Sequence, residues 1–208
     1  MRMTHTLLAA AMLMTLSACD RSTEPAAAAD AAATPAASDP APPADTAPMA
    51  PASGSAMAAS ATTTLAATEG NAVAGDLRLE ASNGGVRISG TVTGLAPGSE
   101  HGFHVHEKGD CSAPDASSAG GHFNPADTDH GKVGQAPHHG GDTDNLTADA
   151  QGSAQVDRML EGVTLGDGAA TDVVGKAVVV HAKPDDYTSQ PSGDAGDRLA
   201  CGVIAKAG

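Results

Sequence analysis

The stretch DLRLEASNGGVRISGTV, residues 76–92, decides the fold class of this chain. Apolar and polar residues alternate in both of its halves, with Leu77 and Leu79 on one face of the first half. Alternation with a period of two is typical of a half-buried β-strand. The triplet Asn83–Gly85 between the halves is a turn signal. The stretch therefore predicts a β-hairpin.

Further short alternating or apolar runs predict strands along the rest of the chain, at residues 101–107, 153–158, 176–182 and 198–204. They are bounded by glycine-rich turns and show little helical periodicity, which indicates an all-β fold, a Greek-key antiparallel barrel or sandwich. Two connections, residues 108–152 and 183–197, are too long to be simple turns. Loops of that length in a compact domain are usually functional or disordered.

Charge and composition exclude one class of partner and indicate extra stabilisation. The 208-residue chain has 11 basic and 25 acidic residues, a formal net charge of -14, which argues against a nucleic-acid-binding surface. Only 1% of its residues are aromatic, so its core gains less from burial than an average core. We therefore expect a crosslink or a bound metal to add stability.

The N-terminal segment MRMTHTLLAAAMLMTLSAC predicts export. A basic start precedes a short apolar run, which is typical of a signal peptide and too short to span a membrane. Its end, residues 16–19, resembles the bacterial lipoprotein signal, so we expect residues 1–18 to be removed and Cys19 to be lipidated. The mature protein would then be periplasmic and attached to a membrane through Cys19. The alternative is ordinary cleavage nearby with loss of Cys19.

Residues 19–68 consist mostly of Ala, Pro, Ser, Thr and Asp. Such a segment has too few large apolar residues to bury a core, and its prolines interrupt helices. We expect a flexible tether here, with partly helical Ala-rich pieces as the alternative. The folded domain is predicted over residues 69–208.

The histidines are concentrated in and around the long connections. His104 and His106 are two residues apart on a predicted strand, so they share a face, either as metal ligands or as polar residues facing solvent. A further histidine, His181, follows the apolar run of a later strand. The first long connection adds five metal-ligating side chains: His122, His130, His138, His139 and Asp142.

Five segments together resemble one family, the copper–zinc superoxide dismutases. The resemblance covers residues 69–208, the whole predicted domain. It implies a Greek-key barrel that converts superoxide, a small-molecule substrate, to dioxygen and hydrogen peroxide. The segments are GFHVHEKGDC (102–111), GGHFNPADTDHG (120–131), HHGGDTDNLTAD (138–149), VVVHAKPDD (178–186) and AGDRLACGVI (195–204).

The resemblance also implies two metal sites, one for copper and one for zinc in each subunit. His122 would bridge them and would also carry a catalytic proton. The remaining copper ligands would be His104, His106 and His181, and the remaining zinc ligands His130, His139 and Asp142. Imidazoles suit copper, and three imidazoles with one carboxylate suit tetrahedral zinc. The adjacent His138 leaves a one-residue slip in the zinc set open.

Four more residues receive roles from the resemblance. Asp185 would hydrogen-bond one copper ligand and one zinc ligand, although the adjacent Asp186 is an alternative. Arg198 would dock superoxide beside the copper. Cys111 and Cys201 would form a disulfide, with two free thiols as the alternative.

Two other classes of function remain open on the sequence alone. A non-catalytic periplasmic copper- or zinc-binding protein would explain the histidines without requiring Arg198 or Asp185. An adhesion module with structural metal would need zinc alone. The resemblance is compatible with a monomer or a homodimer, since bacterial relatives show both.

Overall fold

The computed structural model describes residues 59–207. The predicted signal peptide, Cys19 and most of the predicted tether lie outside these residues. No helix within the described range is long and apolar enough to cross a membrane. The described elements are one 3-10 turn (Ser117–Ala119) and ten strands: β1 (Ser60–Ala67), β2 (Ala74–Ser82), β3 (Gly85–Thr93), β4 (Glu100–His101), β5 (Phe103–His106), β6 (Leu146–Thr147), β7 (Ala154–Glu161), β8 (Ala177–His181), β9 (Arg198–Val203) and β10 (Ala205–Lys206).

Eight of these strands form one antiparallel sheet, in which seven follow the order β5-β8-β9-β1-β2-β3-β7 and β10 pairs with β1. β1 joins its two halves, because residues 60–65 pair with β2 whereas Ala66 and Ala67 pair with β9. The neighbours β3–β7 and β5–β8 are distant in sequence, as in a Greek key. β4 and β6 form a separate pair. The predicted all-β antiparallel class is confirmed.

The predicted hairpin is present as β2 and β3, which pair along their whole length from Ala74↔Thr93 to Ser82↔Gly85. Its inward residues are fully buried, among them the cross-strand partners Leu79 and Ile88. Phe103 of β5 is the largest side chain that is completely buried. The core is otherwise built from Val, Leu, Ile and Ala, as the low aromatic content required.

The tether prediction was wrong for residues 60–67, which form β1. Ala61, Thr63 and Leu65 point inward and are buried, while Thr62 and Thr64 between them are exposed. The pattern has a period of two, but most of its residues are alanine and threonine. These residues are too small or too polar for the pattern to be recognised as a core strand from sequence. Threonine is β-branched and favours a pleated, half-buried surface.

Two long loops connect the strands nearest the histidines. The first loop, residues 107–145, runs from β5 to β6, and the second loop, residues 182–197, runs from β8 to β9. The predicted pairing of Cys111 with Cys201 is present and fastens the first loop to β9. The two cysteines are 90 residues apart, and a crosslink of that span stabilises a fold by about 4–5 kcal/mol in the chain-entropy model.

Substitution of Leu65 tests the revised boundary of the domain. Leu65→Ala leaves a cavity in the core, so we expect the free energy of unfolding to fall by about 2–4 kcal/mol in a denaturant titration. Thr62→Ala, on the exposed face of the same strand, is the control and should change it by about 0.5 kcal/mol or less. Equal, negligible effects of both would return residues 60–67 to the tether.

Candidate metal centre

Strand pairing brings the first three histidines together. β5 pairs with β8, and His104 and His106 both face the same side of β5. His181 ends β8 at an irregularity in its pairing with β9. The first loop returns beside β5, where His122 forms an isolated bridge with His106. All four rings are buried, and one ligand atom from each lies within 4.8 Å of the others.

In this first group, backbone and carboxylate partners hold one nitrogen of a ring and leave the other directed inward. His106 Nδ1 lies 2.9 Å from the carbonyl oxygen of Gly120, and His181 Nδ1 lies 3.3 Å from that of Gly196. The free Nε2 atoms of the two rings are 3.2 Å apart. His104 is held through Nε2, so its Nδ1 is the inward atom. This arrangement fixes ring orientation before any ion binds.

A second group contains His122, His130, His139 and Asp142, again with ligand atoms within 4.8 Å of one another. One carboxylate oxygen, Asp142 Oδ1, lies 2.8, 3.0 and 3.3 Å from the Nδ1 atoms of His122, His130 and His139. The other oxygen, Oδ2, accepts the backbone N–H groups of Gly131 and His139 at 3.1 and 2.8 Å. Three imidazoles and one carboxylate converge on one point.

His122 belongs to both groups. Its Nδ1 faces Asp142 in the second group, whereas its Nε2 is buried on the side of the first group and has no hydrogen-bond partner. One imidazole thus offers a nitrogen to each of two neighbouring points. No other residue in the described part of the chain is shared by the two groups.

The unpartnered atoms fit metal ions. Four inward ring nitrogens are buried without a hydrogen bond: His104 Nδ1, His122 Nε2, His130 Nδ1 and His139 Nδ1. Buried polar atoms are almost always partnered in native proteins, and each exception needs an explanation. A cation at each point supplies one. The all-nitrogen group suits copper, and the group with one carboxylate suits zinc.

The electrostatics of the two groups differ. Burial, reinforced by neighbouring histidines, lowers the pKa of His106 and His181 well below the ordinary value. Burial also lowers the pKa of His122 to about 4, so these rings are neutral at pH 7 and their lone pairs are free for a metal. Burial opposes ionisation of Asp142, but its three histidine neighbours keep its pKa below the ordinary value. Asp142 is therefore ionised at pH 7. Burial of His130 opposes its protonation, but the carboxylates of Asp142 and Asp185 outweigh burial and raise the pKa of that ring to about 9.

Asp185 of the second loop links the two groups from behind. Its Oδ2 lies 2.8 Å from His104 Nε2 and its Oδ1 lies 3.0 Å from His130 Nε2, and the carboxylate is completely buried. Burial opposes its ionisation, but hydrogen bonds from both histidines lower its pKa. The alternative residue, Asp186, is exposed, and among residues 59–207 its carboxylate accepts hydrogen bonds only from Thr188 and Ser189 of its own loop.

Arg198 stands at the start of β9, at the wall of a cleft of about 560 Å³ that is also lined by His106, His122 and His181. Its Nη1 and Nη2 donate to the carbonyl oxygens of Ala116 and Gly120 at 2.7 and 2.6 Å. Both carbonyls lie in the part of the first loop that the disulfide fastens to β9. The guanidinium is half-buried and fixed, and one edge of the cleft is positively charged.

The remaining histidines of the domain lie outside both groups. His138 lies 3.6 Å from Glu161 through Nε2, and His139 takes the place in the second group. His101 is buried, and its ring nitrogens contact Ser99 Oγ and the carbonyl oxygen of His181, which indicates a packing role.

Sequence reasoning missed a glycine that shields Asp185. Gly193 has a φ of +68°, which favours glycine, and a Cβ there would collide with Asp185 Oδ1 and approach His130 Nε2 to 2.8 Å. Its position in SQPSGDAG between turn-forming residues was the one available signal.

These observations define a class of protein: an antiparallel β-barrel with two adjacent metal sites that share one histidine. Residues 73–204 match the family described as copper/zinc superoxide dismutase. Superoxide dismutase (Cu-Zn) 2 of Aquifex aeolicus is 42% identical over 140 residues, which is 66% of this chain and 81% of that protein. A superoxide dismutase (Cu-Zn) of Caulobacter vibrioides is 42% identical over 136 residues, 63% of this chain and 78% of that one.

A solved structure agrees with the sequence comparisons. The crystal structure of a SOD-like protein from Bacillus subtilis has a TM-score of 0.62 at 36% identity, over 68% of this chain and 96% of that chain. The chain belongs to the copper/zinc superoxide dismutase family. It is an oxidoreductase of superoxide with copper and zinc as cofactors, as the resemblance of its motifs predicted.

Two adjacent histidines allow a sharp test of the second group. His139→Ala removes one of the converging nitrogens. Loss of a residue that only orients a ligand costs about 10- to 100-fold in metal affinity, so we expect loss of the ligand itself to lower zinc affinity by more than about 100-fold. His138→Ala should leave zinc affinity close to that of the wild-type chain. Chelator competition measures both, and the reverse order of effects would assign the site to His138.

Proposed function

We propose that copper binds to the group His104, His106, His122 and His181, and that zinc binds to the group His122, His130, His139 and Asp142. The sharing of His122 carries this assignment. Copper bound there would supply a one-electron couple, through which one superoxide is oxidised to dioxygen and a second is reduced to hydrogen peroxide. The residues around it bind the superoxide anion and move a proton.

Arg198 acts as the docking group for superoxide. Its guanidinium is the fixed positive charge in a cleft whose other three named walls are neutral histidines. The whole chain is strongly acidic, so attraction of an anion depends on this local field. Two carbonyl acceptors hold the guanidinium, so little reorganisation accompanies docking.

His122 is positioned to hold and release a proton. Its Nδ1 stays on the side of Asp142, where the second group fixes the ring, while its Nε2 lies on the side of the first group, whose members His106 and His181 also line the cleft. A proton held at Nε2 can pass to the reduced superoxide, and a second proton from solvent completes hydrogen peroxide. The zinc site keeps the ring in place during this exchange.

We also place the protein in the periplasm, attached to a membrane through lipidated Cys19. The lipoprotein-like end of the N-terminal segment supports the anchor. The Cys111–Cys201 disulfide supports an oxidising compartment. The tether of residues 19–59, now bounded by β1, would separate the enzyme from the membrane surface.

Removal of the positive charge at position 198 tests the docking role. Arg198→Ala should lower kcat/KM for superoxide by roughly 10- to 100-fold, the range expected for local steering and a fixed charge. Arg198→Lys should retain part of the rate. Arg87→Ala is the control: it removes the same charge from β3, where Arg87 forms an exposed pair with Asp157 of β7, and it should leave the rate unchanged. An Arg198→Ala enzyme with the wild-type rate would refute the role.

Fractionation of cells tests the anchor. Cys19→Ser removes the thiol that would carry lipid, so we expect the full chain to move from the membrane fraction to the soluble periplasmic fraction with its dismutase activity intact. A chain that is equally soluble before and after the substitution would contradict the anchor.

A further inference from the structure

Two carboxamide side chains meet the loops at the metal centre in the same unusual way. Asn145 Oδ1 accepts the backbone N–H of Asp185 at 2.8 Å, and Asn145 Nδ2 donates to the backbone carbonyl of Asp185 at 3.0 Å. Gln190 Oε1 accepts the backbone N–H of His130 at 2.9 Å, and Gln190 Nε2 donates to its carbonyl at 2.9 Å. Each carboxamide thus grips both polar backbone groups of one residue.

Each loop supplies one of these carboxamides and the backbone that the other carboxamide binds. Asn145 on the first loop holds Asp185 on the second, and Gln190 on the second loop holds His130 on the first. The two residues that are held also bond to each other, with Asp185 Oδ1 at 3.0 Å from His130 Nε2. The loops are therefore joined by two backbone clamps on either side of a buried carboxylate–imidazole contact.

One end of this arrangement is fixed to the barrel. The backbone N–H of Asn145 donates to Tyr187 Oη at 3.0 Å, and its carbonyl accepts from Arg158 Nη2 of β7 at 2.8 Å. The next residue, Leu146 of β6, is fully buried. Gln190 is exposed, and within residues 59–207 its side chain forms hydrogen bonds only with the backbone of His130.

A carboxamide satisfies both backbone groups at once, because it presents an acceptor and a donor side by side. A carboxylate of the same size would keep the acceptor but face the backbone carbonyl with a second negative oxygen. An apolar side chain of the same size would leave both backbone groups without these partners. The two loops have no strand ladder between them that would replace the lost bonds.

We propose that Asn145 and Gln190 are positioning residues that form one reciprocal brace, which holds His130 and Asp185 in the geometry that retains zinc. The proposal rests on the proposed function in taking zinc as the ion of the second group. The two residues are expected to differ in which metal they affect. Asn145 acts through Asp185, which bonds both His104 and His130, so its loss affects both metals. Gln190 acts through His130 alone, so its loss affects zinc.

The experiment uses the full chain and compares Asn145→Leu, Gln190→Met and the double variant. Zinc and copper affinities are measured by chelator competition, and the visible spectrum of cobalt in place of zinc reports the geometry of that site. Gln155→Met is the control, because Gln155 lies on β7 and its carboxamide contacts only Thr91 Oγ1, at 3.3 Å, among the described side chains.

We expect Gln190→Met to weaken zinc binding by about 10- to 100-fold, the range for loss of a partner that orients a ligand, and to leave copper affinity unchanged. Asn145→Leu should weaken both metals, and both variants should shift the cobalt spectrum. The double variant should lose less zinc affinity than the product of the single effects, because either substitution already releases the contact between the loops. Gln155→Met should change nothing.

Several outcomes overturn the brace. Wild-type zinc affinity and cobalt spectra in both single variants would do so, as would strictly multiplicative losses in the double variant. A fall in unfolding temperature without a change in zinc affinity would make the two residues merely structural. If Asn145→Leu does not fold, Asn145→Asp, which keeps the size and the acceptor, takes its place with the same expected direction. A wild-type chain that binds no zinc would overturn the metal assignment and the brace together, whereas tight wild-type binding with unaffected variants would overturn the brace alone.

Discussion

One imidazole, that of His122, belongs to two groups of ligands, and the rest of the structure follows from holding that ring still. Its two nitrogens face different neighbours, Asp142 on one side and the other histidines of the first group on the other. A small rotation of the ring would spoil both groups at once. The isolated bridge between His122 and His106 ties its backbone to β5. The ring is therefore fixed by the barrel on one side and by the carboxylate on the other.

The barrel alone places only three of the seven ligands. His104 and His106 of β5 and His181 of β8 stand on paired strands, where the backbone ladder sets their positions. The other four ligands lie on the first loop, which has almost no regular structure. Its order comes from separate fastenings: a disulfide to β9, the grip of Arg198 on two carbonyls, and the contacts with the second loop. Arg198 binds the carbonyl oxygen of Gly120, which also holds His106 Nδ1, and the second loop contacts His130 through Asp185. The geometry of these ligands therefore depends on the order of the first loop.

Sequence reasoning succeeded where a local pattern or a motif carries the information. Alternation around Leu79 and Ile88 was enough for the hairpin, and five ordered motifs were enough for the family and its cofactors. The strand β1 was not predicted, because its inward positions include Ala61 and Thr63. Their small side chains cannot be distinguished in sequence from those of an Ala- and Thr-rich tether. Asn145 and Gln190 escaped because their partners lie 40 and 60 residues away, and no local pattern marks a side chain that grips a distant backbone.

The most direct test of the account is the rate of superoxide consumption by the full chain with copper in the first group and zinc in the second, compared with zinc in both. The account predicts turnover near the diffusional ceiling of about 10⁸–10⁹ M⁻¹s⁻¹ for the copper–zinc protein, and loss of that turnover when redox-silent zinc replaces copper. Tight binding of both metals with no difference in turnover between the two preparations would contradict it. The shared histidine would then belong to a storage site or a structural site.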